Sequence, residues 1–133
     1  MTVLPDILTA AVAVIRDRKV LMVTARGREV WYMPGGKIDP GETPAEAAAR
    51  EAFEEVALEF DPAALEHLFE VRTQAHGEPD GRMVSMHVFL ARTDAEPAAS
   101  AEVSALHWAG ADDGDRCPPA GRDVLRRLAA AGR

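Results

Sequence analysis

The stretch GGKIDPGETPAEAAAREAFEEVAL, residues 35–58, decides how the rest of the chain is read. It starts irregularly: Gly35 and Gly36 follow Pro34, and Pro40-Gly41 marks a turn. Thr43 then offers a side-chain cap, Pro44 suits the first helical position, and Glu46 stands three residues after Thr43, which is a capping-box pattern. A helix to about Val56 follows. Wound at about 100° per residue, it gathers Ala45, Ala48, Ala49, Ala52 and Val56 into one small-residue face suited to close packing on a sheet. The opposite side collects Glu51, Glu54 and Glu55 at spacing i, i+3, i+4, so the three are surface neighbours. Three adjacent carboxylates repel each other. Arg50 reaches Glu54, but one arginine does not neutralise three acids. Divalent cations with oxygen ligands resolve such repulsion. The plain alternative is a solvated acidic face.

Upstream of this stretch, residues 7–15 are apolar and rich in β-branched types, which predicts a buried strand. Residues 16–18 are a polar break, and 19–25 read as the returning strand of a hairpin. Residues 26–29 form a loop, and 30–33 a short strand stopped by Pro34-Gly35-Gly36. Residues 37–43 are irregular. Downstream, 68–75 and 83–91 read as a second hairpin with its turn at 77–81, and 92–101 as a loop. Residues 104–109 are a last short strand, and 119–130 a helix with Val124, Leu125 and Leu128 on its apolar stripe. Strands surrounding helices in this order predict a mixed α/β sandwich, α+β in type.

The bulk numbers fit that reading. A chain of 133 residues suits one domain, taken as residues 1–133. Apolar residues make up 47% and charged residues 28%, ordinary for a globular protein. No apolar run approaches the roughly 20 residues that span a bilayer, and the N-terminus lacks a signal-peptide pattern. Membrane partners are therefore excluded and a cytoplasmic location is expected. The net charge of −7 argues against a nucleic-acid surface, which needs a basic field. It also means that a polyphosphate ligand would need cations supplied locally, as metal ions or positioned Arg and Lys. The single cysteine, Cys117, excludes an intrachain disulfide and reads as a small semi-buried apolar residue. His67, His76, His87 and His107 have no zinc-site spacing, and His87 and His107 read as packing or pocket-lining residues.

From Gly36 the chain runs five residues to Glu42, then seven to Arg50-Glu51-Ala52-Phe53-Glu54-Glu55-Val56-Ala57-Leu58. This closely resembles the Nudix box of the Nudix hydrolases. Gly36, Glu42, Arg50, Glu51, Glu54 and Glu55 meet six of its seven fixed letters. At typical residue frequencies, chance gives such a match at a given start on the order of once in 10⁷. Ala57 stands where the family has glycine, a position suited to a left-handed helix cap. Ala52 stands where a bulkier apolar residue is usual. The lead-in Met33-Pro34-Gly35-Gly36-Lys37, the interval from Glu102 to Trp108 and the Pro118-Pro119-Ala120 run are similar to small MutT-type members.

The resemblance implies a Nudix-like α/β/α sandwich with a mixed β-sheet and a loop-helix-loop catalytic box. It implies Mg²⁺, with Mn²⁺ as an alternative, on Glu54 and Glu55, with Glu51 as ligand or general base. Arg50 would orient a catalytic carboxylate and the Gly35 carbonyl would complete the metal shell. Glu42 and Lys37 would support the loop. Glu102 is the candidate extra ligand, with a solvated loop glutamate as the alternative. Arg26, Lys37, Gly36 and Gly121 are the candidate substrate contacts.

The implied activity is hydrolysis of a diphosphate linkage in a nucleoside triphosphate or related nucleotide, with oxidised dGTP as the default. The asparagine with which MutT-type members read a purine after Pro-Pro-Ala is replaced by Gly121, and the chain contains no asparagine. Asp112 and Asp113 are the candidate replacements for that contact, with plain loop acids as the alternative. Hydrolysis of ADP-ribose or dinucleoside polyphosphates is the alternative activity. A nucleotide-sensing Nudix-fold module is the non-catalytic alternative, but it usually lacks a box glutamate and none is lost here. Association into a homodimer is left open.

Overall fold

The computed structural model describes residues 5–75, 81–100 and 102–133. Most of the turn expected at 77–81, and His76, lie outside the described residues. The elements run β1 (Ile7–Ala13), β2 (Ile15–Arg16), β3 (Lys19–Ala25), β4 (Gly35–Lys37), α1 (Pro44–Val56), β5 (Glu66–Gln74), β6 (Met83–Leu90), β7 (Val103–Ala109) and α2 (Pro119–Ala130). Short 3-10 turns occupy Pro62–Ala64 and Ala111–Arg116.

β1 is apolar on both faces because both faces are covered. Ala10 and Val12 of β1, with Val14 beyond it, pack with Ala47, Ala48, Ala52 and Val56 of α1. Ala11 and Ala13, between them, pack with Val124, Leu125 and Leu128 of α2. β3 divides the same way, with Leu21 and Val23 towards α1 and Val20 and Met22 towards α2. The sheets therefore form the middle layer of an α/β/α sandwich, as the sequence predicts. One sheet has the order β4-β1-β6-β5 and is mixed, since β1 runs parallel to β6 while its other pairings are antiparallel. The other sheet, β2-β3-β7, is antiparallel.

Two expectations are corrected. The first hairpin is only a corner: Ile15-Arg16 pair with Lys19-Val20, while β1 pairs with β4 and β6, and β3 with β7. Asp17 (φ 51°) and Arg18 (φ 63°) make the corner's two-residue turn. The chain crosses there from one sheet to the other, a partner choice that local periodicity does not encode. Second, residues 30–33 are not a strand. Tyr32 makes only an isolated bridge to Val23, and the strand follows Pro34, at Gly35–Lys37. A Cβ on Gly35 would lie 2.4 Å from the Ala10 carbonyl oxygen, so glycine lets this segment lie against β1.

α1 begins as the capping box requires. Thr43 Oγ1 accepts from the Glu46 N–H (3.1 Å), and Glu46 Oε1 accepts from the Thr43 N–H (2.9 Å). The helix ends on Ala57, which is left-handed (φ 58°, ψ 31°). Alanine thus adopts the conformation in which the family has glycine, at a cost of roughly 1 kcal/mol.

Candidate active site

α1 lies along the sheet with its small-residue face down, which leaves Glu51, Glu54 and Glu55 over the end where β4 meets β1. Ala45, Ala48, Ala49, Ala52 and Val56 take that inward face as expected, joined by Ala47. A cleft of about 620 Å³ opens beside the carboxylates. Glu51, Glu54, Glu55, Gly35, Gly36 and Lys37 line it, with Glu102 and Gly121 on its walls. Sequence reasoning thus named eight of its lining residues from four separate segments.

Arg50 stands behind this wall and braces it. Its Nε and Nη2 donate to the two Glu42 carboxylate oxygens (2.8 and 2.9 Å), and Nη2 also donates to the Lys37 carbonyl (3.1 Å). Nη1 donates to Glu51 Oε1 (2.8 Å) and lies 3.5 Å from Glu54 Oε2. One guanidinium fork therefore ties the loop to the helix and fixes the orientation of Glu51. The hydrogen bonds from Arg50 hold the Glu42 carboxyl far below the usual range, at about 2, with the Asp39 N–H adding to them. Glu42 supports the loop as expected; Lys37 does so through its carbonyl.

The two glycines set the depth of the site. A Cβ on Gly36 would lie 2.6 Å from Glu51 Oε1, so any side chain there would push that carboxylate out of its present position. The Gly35 N–H points at Glu55 Oε1, 3.4 Å away. Glu55 is half-buried, and burial is the main reason its carboxyl is pushed up to about 8. The charge of Glu51 pushes the same way, the Gly35 N–H opposes, and a hydrogen bond with Glu51 and the charge of Glu54 add smaller upward contributions. Glu55 therefore holds its proton more tightly than an ordinary carboxyl.

The donor set fits a hard divalent cation. Every donor is oxygen, and the anionic repulsion at Glu55 is what such an ion relieves. Among the described residues, no three His, Cys, Asp or Glu side chains already close around one point. Binding would thus draw the carboxylates together from the positions in which Arg50 and Gly35 hold them.

Other candidates fall elsewhere. Arg26 does not line the cleft; its N–H bonds the Glu102 carbonyl (2.8 Å), and Arg28, two residues on, reaches the wall instead. Asp112 and Asp113 lie off the cleft, and Asp113 accepts from the Gly110 N–H (2.8 Å) and pairs with Arg116 (3.6 Å). His107 stacks on Trp31 (centroids 4.2 Å apart) and shares a 2.6 Å hydrogen bond with Thr24 Oγ1, a packing role. Cys117 is buried, and burial pushes its thiol up to about 11, which makes it a poor nucleophile. Arg28, Tyr32, Gln74 and Met86 also line the cleft and were not singled out from sequence. Alternation along β6 was the signal available for Met86.

Comparison with known proteins agrees with this architecture. The NUDIX domain family model matches residues 6–128. The YjhB protein of Bacillus subtilis, named provisionally as an ADP-ribose pyrophosphatase, is 27% identical over 107 residues, 80% of this chain and 50% of its own length. The 8-oxo-dGDP phosphatase NUDT18 of Mus musculus is 41% identical over 58 residues, 41% of this chain and 18% of its own length. The chain thus spans half or less of the length of these curated relatives. The crystal structure of the MutT protein from Methanosarcina mazei Go1 superposes with a TM-score of 0.76 at 21% identity, covering 97% of this chain and 96% of that one. The chain belongs to the Nudix domain family. Among the described residues, no helix is long and apolar enough to cross a membrane.

Proposed function

We propose that this protein is a Mg²⁺-dependent pyrophosphohydrolase that cleaves a diphosphate linkage in a nucleoside triphosphate or a related nucleoside diphosphate derivative. The observation that carries the reading is the pair Glu51 and Glu55. Two carboxylates line one cleft, one fixed by Arg50 and the other half-buried against the Gly35 N–H, with its carboxyl raised by burial and by the charge of Glu51.

Hydrolysing a diphosphate is a problem of positioning and charge neutralisation. Glu54, Glu55, Glu51 and the Gly35 carbonyl would hold Mg²⁺, with Mn²⁺ as a substitute and Glu102 as an added ligand from the opposite wall. Such an ion would supply charge neutralisation at phosphate and a more acidic water. Glu51, held by Arg50, accepts the proton of the attacking water. Lys37 and Arg28 offset phosphate charge at the rim of an otherwise acidic protein. The apolar end of the cleft, with Ile7, Val84 and Met86, shields the nucleoside from water.

The relatives divide over substrate, one being named for ADP-ribose and the other for an oxidised guanine nucleotide. Gly121 on the cleft wall presents no side chain to read a base edge, which supports modest base selectivity. The test is diphosphate and phosphate release from a panel of common and oxidised (d)NTPs, ADP-ribose, dinucleoside polyphosphates and sugar nucleotides, with Mg²⁺ and with chelator. Chelator-sensitive cleavage of a triphosphate is expected. Tight nucleotide binding without cleavage of any member would replace this reading with a sensor.

A further inference from the structure

On the face of β5 and β6 turned away from the cleft stands a pair of histidines that the proposed hydrolysis does not use. The alternation along β6 sets the sides: Met86 lines the cleft, while His87, next to it, points the other way with Phe89. His67 sits opposite Phe89 at the bulge of β5, and its ring meets the Phe89 ring edge-on with centroids 5.2 Å apart. His67 Nε2 and His87 Nδ1 are 3.0 Å apart. The other nitrogen of His87, Nε2, lies 3.8 Å from Glu70 Oε2, and Glu70 Oε1 accepts from Ser85 Oγ. His67 is exposed and His87 half-buried, so solvent reaches both.

Two imidazole nitrogens bound to one tetrahedral ion at about 2.05 Å each lie about 3.3 Å apart. The observed pair is within a few tenths of an ångström of that separation. At present one ring must donate its N–H to the other, so a single proton occupies the place between them. A borderline cation that takes imidazole nitrogen replaces that proton once the rings spread by a few tenths of an ångström and each turns by roughly 35°, so that the two lone pairs converge on one point beside the line between them. Glu70 stands where a metal-bound imidazole commonly has a carboxylate, 3.8 Å from its second nitrogen and within a small side-chain movement of a hydrogen bond to it. Arg50 and Gly35 have no part in this arrangement, and the nitrogen donors distinguish it from the all-oxygen cleft.

We infer that His67 and His87 form a second cation site, a two-histidine chelate for Zn²⁺ or a similar transition ion, backed by Glu70 and completed by solvent. The protein supplies two ligands only, in keeping with the absence of any three-residue metal cluster among the described residues. Two ligands without a third give moderate affinity. The bound ion clips β5 to β6 beside the β5 bulge, so it stabilises the sheet edge and leaves the cleft chemistry alone.

The test is calorimetric titration of tag-free protein with ZnCl₂ in saturating Mg²⁺, repeated with His67→Asn, His87→Gln, Glu70→Gln and Glu55→Gln. One Zn²⁺ per chain with micromolar affinity is expected in the wild type. Either histidine variant should weaken it at least tenfold, Glu70→Gln several-fold, and Glu55→Gln not at all. Nickel-induced broadening of the His67 and His87 ring protons in NMR gives a second readout, which holds if one variant fails to fold. Unchanged zinc affinity in both histidine variants, or its loss only in Glu55→Gln, would overturn the site, as would ring signals untouched by Ni²⁺.

Discussion

The Gly36 Cα and the Glu51 carboxylate are so close that a single methyl group between them, at 2.6 Å from Oε1, would exceed what any contact allows. The loop before the helix and the helix itself are thus fitted to one another at the atom that the proposed mechanism uses as base. Gly36→Ala should therefore displace Glu51 without unfolding the protein. We expect turnover to fall at least 100-fold, with a circular dichroism spectrum like the wild type. Turnover within threefold of wild type would show that the position of Glu51 is not critical.

Arg50 serves the loop and the base together, through a fork to Glu42 and one donor to Glu51. Lysine keeps the charge and loses the fork. Arg50→Lys should lower kcat by about tenfold or more, or about 1.4 kcal/mol, with KM little changed, because the arginine does not line the cleft. Steady-state kinetics decide this; a raised KM with unchanged kcat would assign Arg50 to substrate binding instead.

The raised carboxyl of Glu55 predicts a signed pH dependence. Its folded-state value of about 8 lies above the ordinary 4.5, so the folded protein binds more protons than the unfolded chain between these values. Stability of chelator-treated protein should fall as pH rises through that window. Mg²⁺ should raise Tm more at pH 8 than at pH 6, since at pH 6 it must displace a proton. Melting curves at both values, with and without Mg²⁺, measure this. An equal Mg²⁺ effect at the two pH values would mean that Glu55 is not the titrating ligand.

Glu42 predicts the opposite sign at lower pH. Its carboxyl is depressed to about 2 from 4.5, chiefly by Arg50, so its stabilising contribution is complete above about 4.5 and is lost as pH falls towards 2. Glu42→Gln should flatten the acid limb of the stability curve there. An acid limb identical to wild type would show that this pair adds nothing.

Ala57 is exposed and left-handed at the end of α1. Ala57→Gly should stabilise the fold by about 1 kcal/mol, or roughly 4 °C in Tm, with no change in kcat. A lower Tm would show that the flexibility of glycine in the unfolded chain outweighs the relieved strain.

What the sequence made legible was what local chemistry determines. The capping box at Thr43 and Glu46, the small-residue face of α1 and the acidic edge opposite it all follow from spacing within one helix. The apolar run at 7–15 announced a buried strand, which the structure ends at Ala13. Partner choice was not legible: nothing in residues 7–15 says that β1 runs parallel to β6 rather than folding onto β3. β4 was missed because Gly35 and Gly36 carry no strand signal, and their pairing is imposed by the close approach of β1. The substitution of Arg28 for Arg26 on the cleft wall has the same origin, since which loop arginine turns inward depends on the bond from the Arg26 N–H to the Glu102 carbonyl. Tyr32 and Gln74 reached the cleft through tertiary packing alone.

The central claim is that the carboxylates of α1 carry out metal-dependent cleavage of a diphosphate. The most direct measurement is the initial rate of diphosphate release from the best triphosphate of the panel, as Mg²⁺ is titrated against wild type and Glu55→Gln. The account predicts saturation with Mg²⁺ in the wild type and a loss of at least 1,000-fold in a variant that melts like a folded protein. Comparable rates in the two, or release that chelator does not stop, would contradict it.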